Sequence, residues 1–147
     1  VNSEAYNKAI KKYNESAEVY AKACPLLVPL VENGRFHKGD KVVETVLKEY
    51  LDPLNEQGID TLILGCTHYP LLQDIIEELY PDINVISSSV VLAETLKATL
   101  ETENKTNEDP GSIRKYFVSD DAENFETQAK IFMGDSLAGP VKQIDPD

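Results

Sequence analysis

Three residues in the stretch Leu62–Leu72, "LILGCTHYPLL", could do chemistry together: Cys66, Thr67 and His68. A thiol, a hydroxyl and an imidazole stand in consecutive positions, directly after an apolar run. The thiolate is the reactive form of cysteine. Histidine titrates close enough to neutrality to take or return its proton. Threonine adds a hydroxyl and a backbone N–H suited to a carboxylate. The remaining cysteine and histidine, Cys24 and His37, lie far off in sequence and form no CxxC pair.

Other readings of the trio stay open on the residues alone. Free cysteine is among the most buried residue types and often only packs. Metal binding through Cys66 and His68 is a second option, although Cys-x-His is not a standard zinc spacing. A cysteine hydrolase is a third, and it needs a nucleophile, a base and an orienting group. A single disulfide between Cys24 and Cys66 is conceivable, but nothing else suggests a small secreted scaffold, so reduced thiols are expected.

The elements that must position these residues follow from periodicity. Strand Thr61–Gly65 is nearly all apolar, as for a strand covered on both faces, and it delivers Cys66 at its carboxyl end. Pro70 marks the start of a helix that ends before Pro81, so free helix N–H groups are expected to face the thiol and favour thiolate. Upstream, Asn2 or Ser3 caps a helix to about Tyr13. Glu18–Cys24 alternates like a short strand. Pro25 and Pro29 make "CPLLVPLVENG" a loop or a broken short helix. Asp40 caps a helix with an apolar stripe through Val42, Val43, Val46, Leu47, Tyr50, Leu51 and Leu54, which Pro53 should kink or end early and Gly58 stops. Downstream come strand Asn84–Ser87, helix Val90–Glu101, an acidic loop over 101–112, strand Lys115–Ser119, helix Ala122–Met133 and a Gly- and Pro-rich tail expected to fray.

Alternation of helices with short apolar strands predicts an α/β domain, with a mostly parallel sheet flanked by helices. Ligands of such sheets bind beyond the carboxyl ends of the strands, where Cys66 lies. The 147 residues carry 41% hydrophobic residues, enough for a packed core. The formal charge of -12 argues against nucleic-acid partners and anionic membrane surfaces. No apolar run is long enough to span a bilayer. The opening "VNSEAYNKAI" reads as though cut from the middle of something.

"LILGCTHYPLL" resembles the second active-site motif of the glutamate racemases, in the aspartate/glutamate racemase superfamily. "VNSEAY", "ACPLLVPLVENG" and "VISSSVVLAETL" agree with that family in order, over most of residues 1–100. The resemblance implies a flavodoxin-like lobe over 1–85 and, over 86–147, a return segment that completes the other lobe. It implies an isomerase that needs no cofactor and no metal, interconverting L- and D-glutamate by proton transfer between two cysteines. Such an enzyme would supply D-glutamate for bacterial peptidoglycan and cell shape, as a cytoplasmic homodimer without nucleic-acid or membrane partners.

By the same resemblance Cys66 is the second catalytic cysteine, His68 assists it and contacts substrate, and Glu32 supports the thiol. Thr67 binds a substrate carboxylate, and Cys24 matches a non-catalytic position. The family's Asp-Ser-Gly motif and its Ala-Cys-Asn-Thr segment, which bears the first catalytic cysteine, have no counterpart here. The chain therefore reads as the C-terminal part of a glutamate racemase, inactive alone. The alternatives are a related amino-acid racemase, such as one for aspartate, and a non-catalytic α/β carboxylate-binding module.

Overall fold

The computed structural model describes residues 4–107, 114–133, 137 and 139–145. The chain divides into two compact units, Val1–Ile86 and Ser87–Asp147.

The first unit is built from four helices and two strands. Helix α1 (Ala5–Tyr13) precedes an irregular stretch, the short α2 (Leu27–Glu32) and the long α3 (Lys41–Asn55). Strand β1 (Thr61–Leu64), a single 3-10 turn (Tyr69–Leu72), α4 (Gln73–Leu79) and β2 (Asn84–Ser87) follow. The expected caps at Asn2 and Ser3 lie outside the described residues. β1 and β2 are hydrogen-bonded neighbours, and Asn84 N–H donates to Asp60 C=O at 2.8 Å. The two strands thus begin side by side and run the same way, with the turn and α4 as the crossover.

The core comes from the apolar stripe of α3. Val43 and Leu47 are fully enclosed, with Tyr50 and Leu51 also buried, while Val42 stays 44% exposed. α2 packs on α3 and on the 3-10 turn, and α3 packs on α4. Val31, Leu72 and Ile76 close the interior from those elements. Each of these side chains stabilises by roughly 1.5–3 kcal/mol relative to exposure. Asp40 caps α3 through its carboxylate, which accepts from Val42 N–H at 3.0 Å and Val43 N–H at 3.4 Å. The same carboxylate takes both arms of the Arg35 guanidinium, at 2.9 and 2.7 Å. Pro53 does not end α3, which runs two residues past it. Gly58 follows with φ of 73°, a left-handed stop that a Cβ would strain.

Three expectations need correction. Glu18–Cys24 is not a strand: its alternation is present, but no paired strand lies beside it. β1 is not covered on both faces, since Leu62 and Ile63 are only half-buried. The helix expected at Pro70 starts as a 3-10 turn, and its N–H groups do not reach back to the thiol. Tyr69 N–H bonds to Cys66 C=O and Leu71 N–H to His68 C=O, both at 3.2 Å. Tight i to i+3 bonds consume the donors that an α-helical first turn would have left free.

The second unit holds α5 (Ser88–Thr102), β3 (Tyr116–Val118), α6 (Ala122–Met133) and β4 (Val141–Gln143). β3 and β4 pair in parallel, Tyr116 opposite Val141. α6 packs on both strands, and Asp121 caps it by accepting from Glu123 and Asn124 N–H groups. β4 falls in the tail expected to fray: its edge bonds to β3 outweigh the Gly and Pro content around it. Part of the acidic loop over 101–112 lies outside the described residues. No helix among the described residues is long and apolar enough to cross a membrane.

Candidate active site

Cys66 is carried two residues beyond β1, past Gly65. Gly65 is the close-approach position: a Cβ there would come within 3.2 Å of the Tyr6 ring. Cys66 is half-buried and lines an open cleft of about 1230 Å³. The turn that follows folds His68 back, so its Nδ1 stands 3.9 Å from Cys66 Sγ and 3.3 Å from Thr67 Oγ1.

Glu32 reaches the other side of the same ring. It is the last residue of α2, and the chain stops there for a legible reason. Arg35 N–H bonds back to Leu30 C=O at 3.0 Å and Gly34 N–H to Val31 C=O at 2.9 Å, with Gly34 at φ 73°. This double closure is the Schellman ending, and the Asn-Gly of "VENG" encodes it. Packing of α2 on the 3-10 turn then sets Glu32 Oε1 at 3.5 Å from His68 Nε2. Glu32, His68, Thr67 and Cys66, all expected from sequence, therefore stand together in one line.

That line has a definite proton logic. When Glu32 accepts from Nε2–H, the neutral ring has its lone pair at Nδ1. Nδ1 is the nitrogen that faces Cys66 and Thr67. The imidazole is thus oriented to accept a proton from the thiol, with the Glu32 carboxylate on the far side of the ring. The separations, 3.9 Å and 3.5 Å, are longer than a tight hydrogen bond.

Cys24 has a different character. It is 8% exposed and its thiol is directed at the Lys22 carbonyl, 3.7 Å away. Burial pushes this thiol up, with the Lys22 ammonium offsetting part of the effect. Both cysteines are free. His37 is exposed and its ring lies 4.6 Å from that of Phe36, away from the line. Among the described residues, no group of three or more His, Cys, Asp or Glu is placed to hold a metal ion.

Two tyrosines give support through hydroxyl partners that the sequence did not reveal, although Tyr69 was expected to shape the turn and Tyr50 to lie in the apolar stripe. Tyr69 Oη donates to Cys24 C=O at 3.2 Å, across 45 residues, and Tyr50 Oη accepts from Leu26 N–H at 3.4 Å. Together they pin the turn that leads into α2. Burial, with the thiols of Cys24 and Cys66 nearby, pushes Tyr69 up to about 12. The only hint in the sequence is that a tyrosine within an apolar stripe must find a partner for its hydroxyl.

Among known proteins, the glutamate racemase of Sulfurihydrogenibium sp. is 43% identical over 145 residues, which is 99% of this chain and 53% of that protein. That of Aquifex aeolicus is 43% identical over 140 residues, 93% of this chain and 50% of the relative. The chain belongs to the glutamate racemase family. No family model matches it. The solved glutamate racemase of Francisella tularensis, in complex with D-glutamate, superposes with a TM-score of 0.81 at 30% identity, covering 99% of this chain and 53% of that one. The Thermus thermophilus glutamate racemase, with beta-chloro-D-alanine, gives 0.77 at 30% identity, covering 92% and 51%. The α/β fold is therefore that of the glutamate racemases. The chain spans about half the length of the curated relatives it matches.

Proposed function

We propose that this chain carries one of the two proton-transfer faces of a glutamate racemase, with Cys66 as the thiol that works on that face. The observation that supports it is the Glu32–His68–Cys66 line, whose cysteine borders the cleft. His68 takes the Cys66 proton, and the thiolate removes the α-proton of glutamate. In the reverse direction the Cys66 thiol delivers a proton and His68 restores it. Thr67, exposed beside the ring, offers its hydroxyl and N–H to a substrate carboxylate, and His68 shares that contact. Cys24, directed into the protein, takes no part.

Inversion needs a second acid on the opposite face of the α-carbon. Cys24 cannot supply it, so the chain alone is inactive as a racemase. The second thiol comes from the polypeptide that relatives have and this chain does not span. Residues 1–85 then form the second lobe and 86–147 the return segment of the first. The assembled enzyme works without cofactor or metal as a cytoplasmic bacterial homodimer, supplying D-glutamate for peptidoglycan.

The test combines this chain with the complementary half of the Sulfurihydrogenibium glutamate racemase, in heavy water with L- or D-glutamate. The chain alone should give no opposite enantiomer. The combination should give the enantiomer with deuterium at the α-carbon. Cys66→Ser should lower that rate by about 10²–10⁴-fold, because a hydroxyl is a far weaker acid than a thiol. Racemisation by the chain alone, or a near-unchanged rate for Cys66→Ser, would overturn the assignment.

A further inference from the structure

Two adjacent residues of the turn after Cys66 reach the two ends of α2. His68 meets its last residue, Glu32, with Nε2 at 3.5 Å from Oε1. Tyr69 meets the approach to its first residue, the hydroxyl donating to Cys24 C=O at 3.2 Å. α2 needs such ties. Its six residues make about 9 Å of helix, and a helix that short does not sustain itself in water. No side chain caps its start. The chain enters it through a turn over 24–27, which Leu27 N–H closes onto Cys24 C=O at 3.2 Å, with Pro25 in the second position. The Cys24 carbonyl thus accepts twice, once within the turn and once from Tyr69. Tyr50 Oη accepts from Leu26 N–H of the same turn at 3.4 Å and ties it to α3. Tyr69 ties it to the segment that bears His68.

We infer that Tyr69 is a positioning residue for the proton line: its hydroxyl holds the Cys24 carbonyl, and through it α2, where Glu32 stays against His68 Nε2 and His68 Nδ1 stays turned to Cys66. The inference rests on the function proposed above and deepens it. Tyr69 acts through Glu32 rather than on substrate. The ties form a closed circuit, from Tyr69 to Cys24, along α2 to Glu32, across to His68 and back to Tyr69 through the chain. Glu32 and His68 stand 3.5 Å apart, so a displacement of α2 by about 1 Å ends their direct contact. Phenylalanine at position 69 would fill the same space and lose only the hydroxyl. A tyrosine that merely packs would tolerate that exchange, and one that sets the place of α2 would not.

Nitrogen NMR of the histidine rings tests this on the chain alone, without relying on catalysis. The chain has two histidines, and the exposed His37 serves as internal reference. Tyr69→Phe should move the His68 Nε2 resonance toward its position in Glu32→Ala. Added to Glu32→Ala, it should move the resonance no further. Tyr80→Phe is the control, since it loses a hydroxyl bond of 2.6 Å to Asp52 of α3 rather than one to the entry of α2. It should lower the melting temperature comparably and leave His68 unmoved. Combined with the complementary half of the Sulfurihydrogenibium enzyme, Tyr69→Phe should lower kcat by about tenfold to a hundredfold and leave KM within about twofold. An unmoved Nε2 resonance, a full further shift in the Glu32→Ala background, an equal shift in Tyr80→Phe, or an unchanged kcat would overturn the positioning role. A near-unchanged rate for Cys66→Ser would instead defeat the proposed function, and the His68 resonance would still decide whether Tyr69 sets the line.

Discussion

The two units of this chain differ in what holds them. In Val1–Ile86, α2, α3, α4 and both strands contribute to one interior, and Leu47, Leu72, Ile76, Val31 and Val43 are fully enclosed. In Ser87–Asp147, Ala129 is the one buried apolar side chain among the described residues. α5 buries none of its residues, and Val90, Val91, Leu92 and Leu96 are 50–68% exposed. The same chain thus carries a unit whose stripe finds its partners and a unit whose apolar surface does not. The first unit carries the candidate chemistry, and the second buries little of its own apolar surface.

The largest test of this contrast is hydrogen exchange along the two long helices. Amides at the centre of α3 should be protected by several orders of magnitude more than those of α5, which has no buried face to restrain it. Equal protection would mean that the second unit is as well packed as the first. Single core truncations sharpen the point. Leu47→Ala should cost about 2–5 kcal/mol in denaturant unfolding, whereas Leu92→Ala on α5 should stay within about 0.5 kcal/mol. A large loss at Leu92 would show that α5 is already covered in solution.

Smaller effects are expected from the polar ties of the first unit. Tyr80 Oη donates to Asp52 Oδ1 at 2.6 Å, and burial together with that carboxylate pushes the phenol up. Burial pushes Tyr69 up to about 12 from 10.0. Both folded values lie above the unfolded one, so their contribution is complete below pH 10 and falls as pH rises from 10 through 12. Tyr69→Phe and Tyr80→Phe together should flatten that alkaline loss in a pH series of melting curves. The smallest effect belongs to Asp40. Chiefly the Arg35 guanidinium, with the N–H groups of Val42 and Val43, holds its carboxyl at about 2 instead of 3.8. Its contribution is full above 3.8 and is lost as pH falls from there through 2. Asp40→Asn should remove that acid dependence while keeping most of the cap, and an unchanged acid limb would contradict it.

What local physics dictates was legible in the sequence. The α3 stripe, its Asp40 cap, the Asn84–Ser87 strand and the Ala122–Met133 helix all arise from periodicity and end signals acting within a few residues, and the structure has them. The cluster Cys66-Thr67-His68 was legible too, because three reactive types side by side need no fold to be noticed. Glu32 was tied to them only by resemblance: it lies 34 positions before Cys66, and nothing local links the two. Tertiary structure decided the rest. Packing of α2 on the 3-10 turn brought Glu32 to His68. The strand expected at 18–24 has the right alternation, but a strand exists only when another edge completes its ladder, and here the neighbouring space is a cleft. The tail 141–143 became a strand because β3 offered such an edge. Periodicity fixes which face a residue shows; whether that face or edge meets a partner depends on chain distant in sequence, and only the assembled fold can supply it.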